Sequence, residues 1–372
     1  MSKVNKKIGI NLLYMNRRLS GGSITYGINL VNELAKLDSR NSYIIYVNKD
    51  CEDLPLNLGV NFKLRVLPFY NKIVYIRYFW EQIIFPFILF FDKLDVLHSL
   101  GYVGPLFCPS RHIVSVLDLN YKRHVDSMSF TKRILLGFMV RFACYFSTKI
   151  ITISDFSKYE ISSILKINPD KIVVTHLSGS NDQHFNSGSV EEVRIKYNIT
   201  TEYIIAFGSP SSHKNIHGLI FAFSLLCKDL ENYSLVLVGH QHNNQKLNSL
   251  IFDLNLSNKV FFTGFVPDEH VFPLIKASKL FVFPSFYEGF GIPILDAQSL
   301  GVPVASSFAA SLPEVGKDAA LYFDPKNIEE MMSVIKEILE NPRISNGLIK
   351  KGLINRANYS WAKTALLTFE NY

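Results

Sequence analysis

The chain has 372 residues, of which 48% are hydrophobic and 19% are charged. This composition excludes a disordered or fibrous protein and is sufficient for two domains, each with its own core. The four cysteines lie far apart and form no Cys-x-x-Cys pair, which argues against a zinc ribbon or a disulfide framework and predicts buried free thiols in a reducing cytoplasm.

The net charge of +7 is unevenly distributed along the chain. Residues 1–180 contain 23 Lys and Arg against 13 Asp and Glu, whereas residues 181–372 contain 16 against 19. A basic first half suits an anionic phospholipid surface or a lipid-diphosphate acceptor. It would also suit nucleic acid, but no nucleic-acid recognition motif accompanies it, so we predict no nucleic-acid partner.

Two apolar runs are candidates for targeting or membrane segments. The first, Ile8 to Met15, is interrupted by Asn11 and is too short for a signal peptide, so it is interpreted as a first strand. The longest, Ile83 to Phe91, contains Pro86 and falls well short of the roughly 20 residues that a spanning helix needs. No membrane-spanning segment is predicted.

The first half of the chain follows a strand, loop and helix plan. A loop through Gly21 and Gly22 separates the first strand from a helix predicted over Ile24 to Leu37, an order typical of nucleotide-binding α/β domains. Asp118 follows a later strand, where doubly wound sheets bind ligands, and is therefore a candidate substrate contact. Further strands are predicted at Tyr43–Val47, Phe62–Leu67, Asp95–Ser99, Ile113–Leu117, Lys149–Ser154 and Ile172–Thr175.

Arg77 to Phe91 is dense in aromatic and aliphatic residues and allows two interpretations. One is a buried helix of the first domain. The other is a monotopic patch that dips into the bilayer surface beside basic residues. The two interpretations also fit different faces of one helix.

The second half repeats the plan after a linker predicted at Leu177 to Ser187, which is rich in Ser, Asn and Gly. A strand at Tyr203–Phe207 leads through a loop into a helix that begins at Ile216. Lys214 lies just before this helix, where its ammonium and the helix N–H groups can both face a diphosphate. Further elements are predicted at Tyr233–Val238, Val260–Phe262 and Ile328–Leu339.

The stretch from Phe281 to Val315 begins within an apolar strand predicted at Leu280 to Phe283, which is followed by a Glu-Gly-Phe-Gly turn and the start of a helix. Gly289 and Gly291 let the backbone approach a ligand, and a helix start favours an anion such as a diphosphate. The carboxylates of Glu288 and Asp296 flank this turn. Such a site can hold polyol hydroxyls and a phosphate together.

This stretch resembles the C-terminal signature of the retaining, metal-independent glycosyltransferases of the glycosyl transferase group 1 family (family four), PSxYEGFGxPxxEAxAxGxPVxxSxxxSLPEV. The resemblance implies an α/β, GT-B fold of two Rossmann-like, doubly wound domains that face each other across a cleft. Residues 1–180 would form the acceptor side and residues 181–355 the nucleotide-sugar side. Residues 356–372 would form a helix that crosses back to the first domain.

The resemblance also implies roles for individual residues. Lys214 would stabilise the departing diphosphate, Glu288 would bind sugar hydroxyls, and Asp296 would accept from the ribose hydroxyls. The predicted donor-binding residues are Gly21, Gly22, Asp118, Gly208, Ser209, Gly264, Gly289, Phe290, Gly291 and Ile292. Neither a metal nor a cofactor is expected, because no convincing acidic pair stands ready for a divalent cation and the nucleotide-sugar is a substrate.

Three positions depart from the family pattern. Leu117 stands where a histidine is common, with His98 and His124 as the other candidate histidines, and Ser209 replaces an arginine. Asp296 replaces the second glutamate, which is one methylene longer, so either the helix sits closer or a water bridges the gap. Restoring glutamate is predicted to leave donor binding equal or better.

The implied function is retaining transfer of a hexose-type sugar, with GDP-mannose favoured over UDP-sugars, to a lipid-linked glycan of bacterial surface polysaccharide such as O-antigen or capsule. The expected location is cytoplasmic and peripheral on the inner face of the cytoplasmic membrane, with the basic, aromatic first domain contacting the membrane surface. Two alternatives are a hydrolase or phosphorylase acting on nucleotide-sugars or glycans, and a non-catalytic sugar-binding subunit.

Overall fold

The computed structural model describes residues 5–16, 21–71, 73–123, 129–180, 190–209, 211–239 and 245–372. The chain divides into two compact units: unit 1 comprises Met1–Leu177 and Ser360–Tyr372, and unit 2 comprises Ser178–Tyr359. The structure therefore divides the chain after residues 177 and 359, whereas the sequence predicts the two boundaries after residues 180 and 355. Residues 181–187 of the predicted linker lie outside the described residues.

Unit 1 is built on a parallel sheet of seven strands in the order β3-β2-β1-β4-β5-β6-β7. The strands are β1 (Lys7–Asn11), β2 (Ser42–Asn48), β3 (Phe62–Leu67), β4 (Val96–Ser99), β5 (Arg111–Ser115), β6 (Lys149–Thr152) and β7 (Ile172–Val174). The helices are α1 (Gly22–Leu37), α2 (Val74–Phe79), α3 (Phe85–Asp92), α4 (Asn120–Arg123), α5 (Phe130–Phe146), α6 (Asp155–Leu165) and the C-terminal α15 (Trp361–Phe369), which packs on α1. The C-terminal helix therefore belongs to unit 1.

Unit 2 has a parallel sheet of six strands in the order β10-β9-β8-β11-β12-β13. Its strands are β8 (Glu202–Phe207), β9 (Tyr233–Val238), β10 (Val260–Phe262), β11 (Leu280–Phe283), β12 (Val304–Ser307) and β13 (Leu321–Phe323). Its helices are α7 (Val190–Lys196), α8 (Ile216–Leu226), α9 (Gln245–Asp253), α10 (Asp268–Lys276), α11 (Ile292–Ser299), α12 (Leu312–Gly316), α13 (Ile328–Glu340) and α14 (Pro342–Arg356). The predicted α/β class with two doubly wound units is confirmed.

Most predicted strands agree with the structure to within two residues, but the first one is wrong at its end. β1 stops at Asn11, and the next residues form a turn in which Met15 N donates to Leu12 O at 3.0 Å. Leu12 and Met15 are nevertheless buried. Their hydrophobicity reflects burial under the sheet rather than membership of a strand.

The aromatic segment forms one continuous helical stretch from Val74 to Asp92, with a π-helical turn at Trp80–Ile84 between α2 and α3. By length and composition alone, these 19 residues pass the test for a membrane-crossing helix, a test that buried core helices also pass. The prediction counted only the uninterrupted apolar run. One face of the helix is anchored in unit 1, where buried Glu81 accepts a 2.8 Å hydrogen bond from Asn11 Nδ2.

The other face of this helix is apolar and exposed. Phe79, Phe87, Phe90 and Phe91 are between 55% and 77% exposed, whereas Phe85 is buried. The helix thus has one buried face and one exposed apolar face, and the contact with a bilayer stays a prediction.

Unit 1 also buries a polar network beneath the start of α1. His98 lies 2.8 Å from both the Tyr372 hydroxyl and Ser115 Oγ, and Ser115 Oγ in turn lies 2.9 Å from the Tyr26 hydroxyl. His112 Nε2 lies 3.0 Å from Ser99 Oγ. Burial lowers the pKa of His98 to about 3 and the pKa of His112 to about 4, so both rings are neutral in the folded protein.

Candidate functional site

Two loops of unit 2 leave neighbouring strands at the point where the strand order reverses. β8 lies between β9 and β11, so the strands that follow β8 in the chain are added first on one side of it and then on the other. The loop after β8 contains Lys214, and the loop after β11 contains Glu288. In doubly wound sheets ligands bind outside the carboxyl ends of the strands at such a switch point, and the predicted site therefore lies where the topology favours one.

Lys214 and Glu288 meet between these loops. Lys214 Nζ lies 2.6 Å from Glu288 Oε1, and the two side chains are 24% and 15% exposed. Ser285 Oγ donates to the same oxygen at 2.7 Å. Glu288 Oε2 receives no hydrogen bond from the residues that the structure describes. The ammonium and one carboxylate oxygen are therefore fixed, and the second oxygen remains able to accept.

The two loops are also joined through their backbones. Phe286 N donates to His213 O at 2.7 Å, which fixes the chain before Glu288 against the turn before Lys214. Asn215 follows in the left-handed region with φ 53°, and its Nδ2 donates to Pro325 O at 2.7 Å. Because asparagine tolerates this conformation well, α8 can start directly after the lysine.

The glycines predicted at the ends of β8 and β10 are brought together by Gly239. Gly239 N donates to Gly264 O at 3.1 Å, and Gly208 N donates to Val238 O at 2.7 Å. Gly239 has φ 122°, and a Cβ there would lie 2.4 Å from Gly208 O. Only glycine allows this approach. Ser209 is in the same loop, where its Oγ accepts from Ser211 N at 3.3 Å.

The turn before α11 is held from behind by Ser311. Ser311 Oγ lies within hydrogen-bond distance of the carbonyl oxygens of Glu288 and Phe290, at 2.9 and 2.8 Å. Gly291 has φ 120°, and a Cβ there would lie 2.8 Å from Leu312 Cδ2. Phe290 is only 3% exposed, so a contact with a donor would be made mainly by its backbone.

The helix start at Ile292 offers fewer donors than its sequence suggests. Pro293 has no N–H, and Ile294 N donates to Gly291 O at 3.0 Å. Neither position is available to an anion. The cation beside this turn, Lys214, is therefore the larger source of positive charge.

Asp296 is 7% exposed and is held by the chain at the start of unit 2. Its Oδ1 accepts from Ser180 N at 2.7 Å, and its Oδ2 lies 3.3 Å from Ser180 Oγ. A Cβ at Gly179 would lie 2.8 Å from Asp296 Oδ1, so the glycine allows this close approach. In the structure, both carboxylate oxygens of Asp296 thus have Ser180 as a protein partner.

The predicted residues of unit 1 lie at the starts of two helices. Gly21 precedes α1 and Gly22 is its first residue; a Cβ at either position would meet no described atom within 4 Å. Packing within the described residues therefore does not require glycine there. Asp118 Oδ1 accepts from Asn120 N at 3.0 Å at the start of α4.

Of the two histidines named as possible site residues, His98 does not take the place of the missing one. His98 is fully buried in the network of unit 1, and Leu117 is 4% exposed. His124 lies outside the described residues. Burial of His98 among Ser115 and Tyr372 makes it a residue of the core.

Three serines that shape the site were not predicted: Ser180, Ser285 and Ser311. Ser285 and Ser311 are both positions of the family pattern, and this could have marked them as candidate site residues. The pattern does not reveal which atoms their hydroxyl groups contact. Ser180 is 116 residues from its partner Asp296 in sequence and carries no local signal.

Residues 189–353, which lie in unit 2, match the family described as glycosyl transferases group 1. Unit 2 belongs to the glycosyl transferases group 1 family. The predicted family is thereby confirmed, and the signature around Glu288 lies within the matched residues. Lys214 and Asp296 also lie within the matched residues.

A curated relative resembles the chain over a similar extent. The O-antigen chain mannosyltransferase B of Escherichia coli is 35% identical over 227 residues, which cover 60% of this chain and 60% of the relative. The alignment thus spans less than two thirds of the relative's length.

Solved structures extend the likeness of fold to both units. The sucrose-phosphate synthase of Thermosynechococcus elongatus superposes with a TM-score of 0.78 at 16% identity and covers 99% of this chain and 98% of that one. The Anabaena protein HepE, in complex with UDP-glucose, superposes with a TM-score of 0.74 at 16% identity and covers 99% of each chain. At this identity the likeness establishes the fold.

Proposed function

We propose that the protein is a retaining, metal-independent glycosyltransferase that moves a hexose-type sugar from a nucleotide diphosphate donor to a lipid-linked glycan. GDP-mannose is the favoured donor, because the relative that shares 35% identity is named a mannosyltransferase of the O-antigen chain. The acceptor would then be a growing bacterial surface polysaccharide.

The observation that carries this proposal is the cluster of Lys214, Glu288 and Ser285 at the switch point of unit 2. Breaking the anomeric bond builds negative charge on the departing diphosphate. A fixed ammonium aimed at that charge stabilises it without a metal, and it needs little reorganisation because Glu288 already orients it. The proposal assigns this role to Lys214.

Glu288 has a second task in this proposal. Its Oε1 holds Lys214 and Ser285, whereas its Oε2 accepts no hydrogen bond from described residues. We assign Oε2 to a sugar hydroxyl, so that one carboxylate fixes both the cation and the sugar. Such shared positioning would hold the sugar in a fixed geometry relative to the diphosphate that the ammonium contacts.

Asp296 is proposed to accept from the ribose hydroxyls of the donor. Because Ser180 already donates to both carboxylate oxygens, a ribose hydroxyl would share them with Ser180. A carboxylate has about four acceptor positions, so both sets of hydrogen bonds can coexist. No cofactor is proposed, since the nucleotide-sugar is consumed as a substrate.

The proposed location is the inner face of the cytoplasmic membrane, to which the protein binds peripherally. Residues 1–180 carry an excess of ten positive charges, from 23 Lys and Arg against 13 Asp and Glu. Phe79, Phe87, Phe90 and Phe91 are exposed on the helix Val74–Asp92 of the same unit. Basic charge with exposed aromatic rings is the combination that interfacial segments use.

The test is a panel of nucleotide-sugars examined by thermal shift, followed by sugar transfer to lipid-linked glycan from bacterial membranes. GDP-mannose should raise the unfolding temperature more than UDP-glucose, and transfer should persist in EDTA. The configuration of the new linkage, determined by NMR, should match that of the donor. An inverted linkage would refute the retaining step, and donor hydrolysis without any transfer would instead indicate a hydrolase.

A further inference from the structure

We infer that a basic pocket between α4 and α5 of unit 1 binds the phosphate group of an anionic membrane lipid. The pocket has a volume of about 460 Å³ and is separate from the loops of unit 2 described above. Its lining residues come from the end of α4 and from one face of α5: Tyr121, Lys122, Arg133, Ile134, Gly137, Phe138 and Arg141.

Three cations line this pocket, and none has a carboxylate partner among the described residues. Lys122, Arg133 and Arg141 form no ion pair with any residue in the described part of the chain. Arg123, the next residue after Lys122, does pair, with Glu160 at 2.8 Å. Desolvation and the neighbouring charge of Arg141 lower the pKa of Lys122, which shows that these like charges are close enough to repel. An anion between them would relieve that repulsion.

Along α5 the sequence adds no compensating negative charge, whereas Asp118 precedes α4 and Asp126 follows it. Residues 129–154 include four Lys and Arg and no Asp or Glu. Beside the cations, the hydroxyl of Tyr121 is buried and makes no hydrogen bond with a described residue. Burial raises the pKa of Tyr121, so the hydroxyl keeps its proton. Within the described part of the chain, three cations without an ion pair and a hydroxyl without a hydrogen bond thus lie at one pocket.

The rim of the pocket points to a lipid rather than a soluble anion. Ile134 and Phe138 line the pocket and are 56% and 53% exposed, and Phe130, one turn earlier on α5, is 66% exposed. These three side chains repeat every four residues and so form one stripe along the helix. A phosphate among the cations would place its attached hydrocarbon against this stripe. Charge and apolar surface together match an amphiphile.

The inference deepens the membrane contact of the proposed function, because it names the group in the membrane that this surface recognises. It is tested on the full chain with vesicles of phosphatidylcholine, with and without phosphatidylglycerol. Binding is measured by co-sedimentation in the absence of nucleotide-sugar and glycan.

The test variant is Arg133→Gln with Arg141→Gln. The control is Lys63→Gln with Lys132→Gln, which removes the same charge from unit 1, including one exposed lysine on α5 outside the pocket. Each basic residue at an anionic surface contributes about fivefold in affinity, so the test variant should bind phosphatidylglycerol vesicles about 25-fold more weakly. The control should lose no more than about fivefold, the general contribution of one surface lysine on α5. Equal losses in both variants would show a diffuse charge effect and overturn the site.

Two further arms identify the ligand. Inorganic pyrophosphate, tested by calorimetry, should bind weakly to the unaltered protein and not to the double arginine variant. Phe138→Ala should weaken vesicle binding but leave pyrophosphate binding unchanged. Tight pyrophosphate binding without any preference for phosphatidylglycerol vesicles would overturn the lipid and indicate a soluble anion.

The outcomes separate this inference from the proposed function. A protein that binds the vesicles through these arginines but transfers no sugar would refute the proposed function and retain the lipid site. A protein that transfers sugar but shows no preference for phosphatidylglycerol vesicles would refute the lipid site alone.

Discussion

Replacement of Lys214 by alanine is expected to slow sugar transfer by about 10²–10³-fold, which is the usual loss when one donor that stabilises a developing oxyanion is removed. Lys214 Nζ lies 2.6 Å from Glu288 Oε1, and its side chain is 24% exposed. The ammonium is therefore partly withdrawn from water, and its charge acts more strongly than that of a surface lysine.

The same substitution should cost little stability. Glu288 would keep Ser285 as a donor and is itself 15% exposed, so its carboxylate would still be partly hydrated. We expect a loss of about 1 kcal/mol, within the range for a single hydrogen bond to a charged group after discounting for solvent. A drop in rate of two to three orders of magnitude would thus not come from unfolding.

The assay measures release of GDP from GDP-mannose in the presence of lipid-linked glycan, with donor affinity determined separately by calorimetry. Lys279→Ala is the matched control, because Lys279 pairs with Glu202 at 3.3 Å in the same unit but both side chains are about half exposed, at 51% and 46%. It should change the rate by less than about threefold, since such surface pairs contribute about 0–1 kcal/mol. A Lys214→Ala enzyme within threefold of the unaltered rate would refute the role given to this lysine.

Three further outcomes are expected. Glu288→Gln should keep or strengthen GDP binding, because the neighbouring ammonium loses its ion pair, while the transfer rate falls at least about 100-fold; unchanged turnover would contradict this assignment. Gly291→Ala should destabilise unit 2 by about 1–3 kcal/mol in urea unfolding, because φ is 120° and the new Cβ would lie 2.8 Å from a methyl group of Leu312. The control Gly347→Ala, in open space within α14, should be neutral or stabilising. Since the folded pKa values of His98 and His112 are about 3 and about 4, below the ordinary 6.5, the unfolded chain takes up protons first, and stability present above pH 6.5 is lost as the pH falls. Between pH 7 and pH 5 the free energy of unfolding of unit 1 should fall by about 2 kcal/mol for each histidine. Unfolding can be monitored by fluorescence of the two tryptophans, which both lie in unit 1. His98→Gln should remove about half of this pH dependence, and an unchanged pH dependence would contradict the account.

The strands were predictable because a parallel sheet covered on both faces is built from short, continuous apolar runs. β8, β9 and β11 agree with their predicted positions to within one residue, and the interior residues of all three are buried. The same signal failed at Leu12 and Met15, which are buried without being in a strand. Apolar character reports burial, and only backbone pairing defines where a strand ends.

The site was predictable where the chemistry lies in a contiguous motif. Glu288 and its glycines could be identified because strand, turn and helix start follow each other within a dozen residues. The hydrogen bond from Lys214 to Glu288 spans 74 residues and the one from Ser180 to Asp296 spans 116, so neither pairing is visible in local sequence. Such contacts form because the order of strands in the sheet brings distant segments together. The sequence predicts that order only indirectly, through the fold class.

The shorter carboxylate of Asp296 illustrates how a departure from the family pattern is accommodated. A helix position that commonly carries glutamate has lost one methylene, and the chain at Gly179 and Ser180 lies directly against the aspartate, with Ser180 N 2.7 Å from Oδ1. A Cβ at position 179 would lie only 2.8 Å from that oxygen, so this approach depends on glycine. A glutamate at 296 would have to push its carboxylate past this segment or displace it, and overpacking of this kind costs about 1–3 kcal/mol. The residue pair Gly179 and Asp296 therefore acts as one unit, and Asp296→Glu tests whether donor binding or packing against residues 179–180 governs the choice of the shorter side chain.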